Sequence, residues 1–141
     1  MTKKLFCFGV GFSGLEILKH AKLSGFEVSG CVRSAEKAKK LSTETGFDIV
    51  DINNVDLTGI THILNTVPTN GMSDFIYDQF IEQIKSLKTL KWFGYMSTTG
   101  VYGNTNGEMV DETSPLNPSG IRGKQRVAVE KLWLDNVKQT H

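Results

Sequence analysis

The chain has 141 residues, of which 39% are apolar and 22% are charged, and its net charge is +1. These values are typical of a soluble globular protein and argue against a disordered or fibrous chain. The charge balance also argues against a nucleic-acid partner, and we interpret the basic run at Lys37, Lys39 and Lys40 as a solvated helix face. A chain of this length ordinarily forms one domain, which we expect to span residues 1–141.

The cysteines and the N-terminal segment predict the compartment. Cys7 and Cys31 each lie in a short apolar run typical of a buried strand, and neither has a CxxC partner. We therefore expect no metal site, and we predict a cytoplasmic protein because free buried thiols are typical of reducing compartments. The apolar run at residues 5–10 is too short for a signal peptide or a membrane span, so no membrane partner is expected.

The first predicted unit is a strand, a glycine turn, a helix and a second strand. The first strand covers residues 4–8 and suits burial on both faces. The helix runs from Ser13 to about Leu23, with apolar residues at three- and four-residue spacing, and Gly25 closes it. The second strand covers residues 26–32.

The next elements continue this alternation. Ser34 is the predicted N-cap of a helix that ends near Thr45, before Gly46. Shorter strands follow at residues 47–51 and 60–65. Repeated βαβ units of this kind predict an α/β fold with a doubly wound parallel sheet.

The second half of the chain supplies a fifth strand and two more helices. The apolar stripe of the third helix consists of Ile76, Phe80, Ile84 and Leu87. The fifth strand is expected at residues 91–97, and a long exposed loop rich in Gly, Asn, Ser, Thr and Pro follows at residues 98–120. The last helix is expected at about residues 123–138, so the sheet has about five strands with helices on both faces. The apolar face of that helix consists of Val129, Leu132, Trp133 and Val137.

A GxGxxG motif joins the first strand to the first helix, at Gly9, Gly11 and Gly14. In this context Gly9 permits a tight turn, Gly11 lets a pyrophosphate approach the backbone, and Gly14 lets the helix pack close to the strand. The helix start at Phe12 and Ser13 then offers free N–H groups and a partial positive charge to the phosphates. The motif predicts a dinucleotide-binding site, and the alternative is a glycine-rich turn without a ligand.

The end of the second strand predicts which dinucleotide binds. NAD sites usually carry Asp or Glu at this point, whereas this chain has Arg33 followed by Ser34. Because an arginine can pair with a 2′-phosphate through two parallel hydrogen bonds, the sequence favours NADP, with NAD as the alternative. An exposed arginine at a strand end is also common without any ligand.

Small residues follow the fourth and fifth strands, where open α/β sheets place their ligands. Thr66, Val67 and Pro68 follow the fourth strand, and Ser97 follows the fifth. We predict that these residues face the nicotinamide ribose of the cofactor. A threonine at a strand end can equally satisfy loose backbone groups, and the sequence leaves this alternative open.

Two segments of the second half carry a family resemblance. They are residues 95–103, YMSTTGVYG, and residues 110–115, VDETSP, which Pro118 follows closely. They resemble the mid-chain stretch of extended and atypical short-chain dehydrogenases, and with the glycine motif the resemblance to the NAD-dependent epimerase/dehydratase family covers essentially the whole chain. The resemblance implies a Rossmann half that binds NAD(P)(H), and a small anionic molecule or sugar nucleotide as substrate.

The family's catalytic set is a Ser or Thr after the fifth strand, and a Tyr with a Lys four residues later. Thr98 matches the first member, and we predict it as the catalytic residue. Judged by the spacing to Glu130, the Tyr and Lys are replaced by Arg122 and Arg126. Arginine stays protonated and cannot exchange the substrate proton, so the departure resembles the atypical branch of the family. The two arginines could instead bind an anionic substrate, or lie on a solvated helix face.

A second departure is length, because family members continue beyond the helix that follows the fifth strand. We expect the C-terminal substrate region to be absent, either by truncation or because a partner chain supplies it. The exposed edge strand that results predicts self-association. Three hypotheses follow: an NADP(H)-dependent reductase or epimerase-like enzyme, a non-catalytic NADP(H)-sensing or interaction module, and a folded remnant without a ligand.

Overall fold

The order of elements in the computed structural model follows the predicted alternation. The structure describes residues 1–137, and Lys138, the predicted end of the last helix, lies outside the described residues. Within them the elements are β1 (Lys4–Phe8), α1 (Phe12–Leu23), β2 (Glu27–Val32), α2 (Ala35–Thr45), β3 (Asp48–Asp51), β4 (His62–Asn65), α3 (Phe75–Ser86), β5 (Trp92–Tyr95) and α4 (Ile121–Asn136), with short 3-10 helices at Ile52–Asn54 and Thr99–Tyr102. None of the helices in this range is long and apolar enough to cross a membrane.

The strands of the described range form one parallel sheet in the order β3-β2-β1-β4-β5. β1 pairs with β2 on one side and with β4 on the other, so Cys7 lies between Gly30 and Leu64. The chain winds outward to β3, returns beside β1 and winds outward again to β5. This order confirms the predicted doubly wound α/β sheet of the Rossmann type, and it places the switch point between the ends of β1 and β4.

Alternating strand side chains divide the core into two layers. On one face of the sheet, Cys7 belongs to the same buried cluster as Leu18 of α1. On the other face, Phe8 clusters with Ile84 of α3 and Val129 of α4. The predicted helices on both faces are confirmed, and burial from both sides explains why the central strands read as continuous apolar runs.

Local signals set most helix boundaries. The Ser34 hydroxyl oxygen accepts a hydrogen bond from a backbone N–H in the first turn of α2, and Gly46 ends this helix with φ 71°. By contrast, α4 begins at Ile121 and not at Gly123. Gly123 is buried inside the first turn, where a Cβ would lie 2.6 Å from the carbonyl oxygen of Gly100. This glycine therefore allows close packing instead of marking the helix start.

β5 forms one edge of the sheet. It covers Trp92–Tyr95, less than the predicted residues 91–97, because its pairing extends only along the short β4. Trp92 is 44% exposed, and Leu134 on the neighbouring α4 is 71% exposed. The described residues thus present the expected apolar edge, and self-association through it stays a prediction.

Candidate functional site

The glycine turn after β1 is held by backbone hydrogen bonds and close packing. The N–H groups of Gly9 and Val10 both donate to the carbonyl oxygen of Cys31, at 3.1 and 3.0 Å. Gly9 has φ +83°, and a Cβ there would lie 2.9 Å from the Thr66 hydroxyl oxygen and 2.9 Å from a methyl carbon of Val67. Both its backbone conformation and its packing therefore require glycine at this position.

The two later glycines of the motif have opposite surroundings. A Cβ at Gly14 would lie 3.0 Å from the Cys7 sulfur and 3.0 Å from a backbone oxygen of the turn, so α1 presses closely on β1. Around Gly11, no atom of the described residues lies within 4 Å of the same position, apart from Gly11 and its two chain neighbours. Gly11 is the N-cap of α1 and brings no capping side chain, and Phe12 and Ser13 after it are exposed. The first N–H groups of α1 therefore face open space, which suits the approach of a phosphate.

The end of β2 lies at the same edge of the sheet as the glycine turn. Arg33 is exposed, and within residues 1–137 it forms no salt bridge with a carboxylate. Ser34 uses its hydroxyl oxygen to cap α2, at 3.1 Å from the Lys37 nitrogen, and its proton is left to donate elsewhere. The arrangement leaves a free cation and a hydroxyl group next to each other at the strand end.

The loop after β4 is tied to the glycine turn. The hydroxyl oxygen of Thr66 lies 2.5 Å from the carbonyl oxygen of Gly9 and 3.1 Å from that of Phe8. Val67 contacts the same turn, and Pro68 is exposed. The threonine hydroxyl thus satisfies backbone groups, which is the alternative that the sequence left open. Contact of Thr66, Val67 and Pro68 with a ligand stays a prediction.

The end of β5 is open. Ser97 and Thr98 are both exposed. The Thr98 hydroxyl oxygen accepts a hydrogen bond from the Gly100 N–H at 3.3 Å and starts the short 3-10 helix that follows. Part of the predicted irregular loop is therefore ordered into a helical turn because Thr98 caps it. The structure brings Thr98 to the edge where the other strand ends lie, and its catalytic role stays a prediction.

The two arginines at the start of α4 have different environments. Arg122 is exposed, whereas Arg126 is half-buried and donates from Nη1 to the carbonyl oxygen of Met96 at 2.8 Å and to the Tyr95 hydroxyl oxygen at 3.2 Å. Burial raises the pKa of the Tyr95 phenol, and the charge of Arg126 opposes that shift. Arg126 thus holds α4 against the end of β5, while Arg122 alone points its charge to solvent.

A buried polar pair that was not predicted from the sequence lies next to the loop after β4. Asn65 and Asp74 are both fully buried, and the amide of Asn65 donates to the Asp74 carboxylate at 3.0 Å. Asp74 is also the N-cap of α3. An Asp just before an apolar helical stripe is the signal that could have found this residue.

Several solved structures are similar to this chain. A functionally unknown conserved protein from Silicibacter pomeroyi is 30% identical, with a TM-score of 0.82, over 94% of this chain and 48% of that chain. A mutant UDP-glucuronic acid 4-epimerase from Bacillus cereus, in complex with UDP-4-deoxy-4-fluoro-glucuronic acid and NAD, is 21% identical, with a TM-score of 0.68, over 92% and 50%. A short-chain dehydrogenase/reductase superfamily protein from Agrobacterium tumefaciens with bound NAD is 18% identical, with a TM-score of 0.60, over 92% and 43%.

These comparisons concern the fold. No family model matches the chain, and no curated protein matches it. The chain spans about half the length of the solved structures that it matches, at 48%, 50% and 43%. The described residues therefore have the Rossmann-type fold that is found in structures of a UDP-sugar epimerase and a short-chain dehydrogenase, over about half of those chains.

Proposed function

We propose that this chain is a dinucleotide-binding domain that takes NADP(H) at the ends of β1, β2 and β4. The observation that carries the proposal is the contrast within the glycine motif. Gly9 and Gly14 are packed against protein atoms. By contrast, the position that a Gly11 side chain would occupy has no described atom within 4 Å, apart from Gly11 and its two chain neighbours. Glycine at the open position, directly before the first turn of α1, leaves room for a phosphate to approach the backbone.

We assign described residues to each part of a dinucleotide. The N–H groups from Phe12 to Gly14 would hold the pyrophosphate, helped by the positive end of the α1 dipole. Arg33 and Ser34 would hold the 2′-phosphate, which favours NADP over NAD. The loop at residues 66–68 and Ser97 would line the nicotinamide end. When bound, such a cofactor supplies or accepts a hydride.

The second candidate function is NADP(H) binding without turnover. Arg126 stands where the family resemblance calls for a lysine, and its guanidinium is held by Met96 and Tyr95. A guanidinium stays protonated at neutral pH and cannot exchange a proton with a substrate. Incubation with NADPH and a broad carbonyl panel separates the candidates, because an enzyme would oxidise NADPH with at least one carbonyl.

A substrate would be a small anionic molecule or a sugar nucleotide. One similar structure carries a UDP-sugar acid analogue, and the exposed Arg122 at the start of α4 could pair with such an anion. Thr98 would orient the substrate as the catalytic residue if turnover occurs. Cytoplasmic location stays a prediction of the same proposal.

Calorimetric titration with NADPH and NADH tests the proposal. Gly11→Ala should fold normally, because φ is −94° and the added Cβ would meet no atom beyond its chain neighbours. It should weaken the binding of both nucleotides at least about tenfold, because the Cβ would occupy the space through which the phosphate approaches. Gly120→Ala is the matched control, since Gly120 is also an N-cap with negative φ and open surroundings. It should bind like the wild-type chain.

Arg33→Ala tests the choice of dinucleotide. The variant should lose NADPH affinity down to the level of NADH and leave NADH affinity unchanged, because only NADPH carries the 2′-phosphate. Lys39→Ala, another exposed cation on the neighbouring α2, is the control for general charge effects. If the wild-type chain binds neither nucleotide, the proposal fails and the remnant hypothesis takes its place.

A further inference from the structure

The carboxylate of Asp74 is fully buried and accepts hydrogen bonds from four donors. Its Oδ1 accepts from the backbone N–H groups of Ile76 at 2.7 Å and Tyr77 at 3.2 Å. Its Oδ2 accepts from the Asn65 side-chain amide at 3.0 Å and the Trp133 indole at 3.0 Å. Capping α3 needs only the first oxygen. The second oxygen therefore serves another purpose, since it joins α4 to the end of β4.

The side chain of Asn65 links Asp74 to the loop after β4. Its amide nitrogen faces Asp74, so its oxygen must face the other way, where it accepts from the Val67 N–H at 3.0 Å. The side chain of Val67 in turn lies against the glycine turn, 2.9 Å from where a Gly9 Cβ would stand. A continuous series of contacts thus runs from Asp74 through Asn65 and Val67 to Gly9.

We propose that Asp74 is a positioning residue for the dinucleotide site, acting through the side-chain amide of Asn65 to hold the loop at residues 66–68 against the glycine turn. The inference rests on the proposed function, because the loop and the turn are the two sides of the proposed site. Asp74 itself is fully buried, and Asn65 links it to the Val67 N–H of the loop.

The chemistry of the amide makes Asp74→Asn a sharp test. The oxygen of the new amide must stay on the N–H groups of Ile76 and Tyr77 to cap α3. Its NH2 group would then face the Asn65 NH2, so two donors would face each other. Asn65 can relieve this only by turning its amide over. Its NH2 would then face the Val67 N–H, which loses its acceptor. One changed atom at position 74 is therefore transmitted to the loop.

The experiment measures NADPH affinity by calorimetry and the hydrogen exchange of the Val67 amide without ligand. Asp74→Asn should weaken NADPH binding by about tenfold and speed Val67 exchange. In the double variant Asn65→Asp with Asp74→Asn, the carboxylate and the amide exchange places, so the Val67 N–H regains an acceptor. Affinity and Val67 protection should return to within about twofold of the wild-type values, even if the melting temperature stays low.

Trp133→Phe is the matched control for stability. It removes the other donor to the same Asp74 oxygen but leaves the Asn65 link intact. It should lower the melting temperature and change NADPH affinity by less than about twofold. If Asp74→Asn does not fold, Asn65→Ala breaks the same link with the carboxylate in place and should weaken NADPH binding.

The outcomes separate the two proposals. Normal NADPH affinity in Asp74→Asn, or an equal loss in Trp133→Phe, overturns the positioning role and leaves dinucleotide binding standing. A double variant that folds but does not recover affinity also overturns it. No NADPH binding by the wild-type chain overturns the proposed function and this inference with it.

Discussion

The hydroxyl group of Thr66 lies 2.5 Å from the carbonyl oxygen of Gly9 and joins the loop after β4 to the turn after β1. These two segments meet at the switch point of the sheet, where β1 and β4 are neighbours. The contact therefore sets the separation of the two loops between which an open α/β sheet places its ligand.

Thr66→Val should loosen this contact without changing the volume of the side chain. The variant loses a hydrogen bond that contributes about 1 kcal/mol, and it should weaken NADPH binding because the turn is less constrained. Urea unfolding and calorimetry measure the two effects. Thr66→Ser keeps the hydroxyl group and is the control. Equal stability of the Val and Ser variants would show that the contact contributes nothing.

Gly14→Ala should destabilise the fold although alanine is the better helix former. The gain in helix propensity is about 1 kcal/mol, but the added Cβ would lie 3.0 Å from the buried Cys7 sulfur and from the Gly9 carbonyl oxygen. Neither atom can move freely, so overpacking of about 1–3 kcal/mol should outweigh the gain. The urea midpoint should fall relative to wild type and to Gly11→Ala. A midpoint above that of the wild-type chain would contradict the close packing of α1 on β1.

The buried thiols should be unreactive in the folded protein. Burial raises the pKa of Cys7 from 9.0 to about 12 and that of Cys31 from 9.0 to about 11. At pH 8 neither thiol should react with Ellman's reagent until the chain unfolds, because the thiolate is the reactive form. Rapid labelling of the native protein would show that one thiol is accessible.

The same pKa shifts predict how stability depends on pH. The folded state holds the two thiol protons more tightly than the unfolded state does, so their contribution is complete below pH 9. It should be lost as the pH rises through about 11 and 12. Urea midpoints measured from pH 8 to 10.5 should fall less steeply in a Cys7→Ala variant than in the wild-type chain. Parallel curves would contradict the assignment to Cys7.

Ser34→Asp separates capping of α2 from binding of the 2′-phosphate. Aspartate is as good an N-cap as serine, so the free energy of unfolding should be unchanged in Ser34→Asp. In Ser34→Ala it should fall by about 1 kcal/mol. The new carboxylate would repel a 2′-phosphate held by Arg33, so NADPH affinity should fall more than NADH affinity. Unchanged NADPH affinity in the Asp variant would mean that the 2′-phosphate does not lie at this corner.

The elements were predictable where each carries its own signal. The strand at Lys4–Phe8 and the cap at Ser34 were found at the expected places because burial on both faces and the need for an N-cap act locally. The predicted start of α4, at about residue 123, lies after the observed start at Ile121. Gly123 is a packing site against Gly100, inside the first turn of the helix. The structural role of such a glycine is clear only once the residue packed against it is known.

The candidate site was predictable in part. The surroundings of Gly9 and Gly14 match the roles that the motif assigns to them, because a tight turn and a close helix impose the same residue type in any sequence context. The position of Arg126 was not predictable, since its partners Met96 and Tyr95 lie 30 and 31 residues away. Spacing suggested two equivalent arginines, and packing made them different.

The sequence by itself determined the α/β alternation, the glycine turn and its place between a strand and a helix, because these depend on periodicity and on residues within one turn of each other. Only the tertiary structure decided which polar groups are already satisfied. Asp74 and Trp133 are 59 residues apart and meet across two helices, and Thr66 and Gly9 are 57 apart and meet across two strands. Such contacts form when distant elements pack, and a buried polar group must find its partner there because water is excluded.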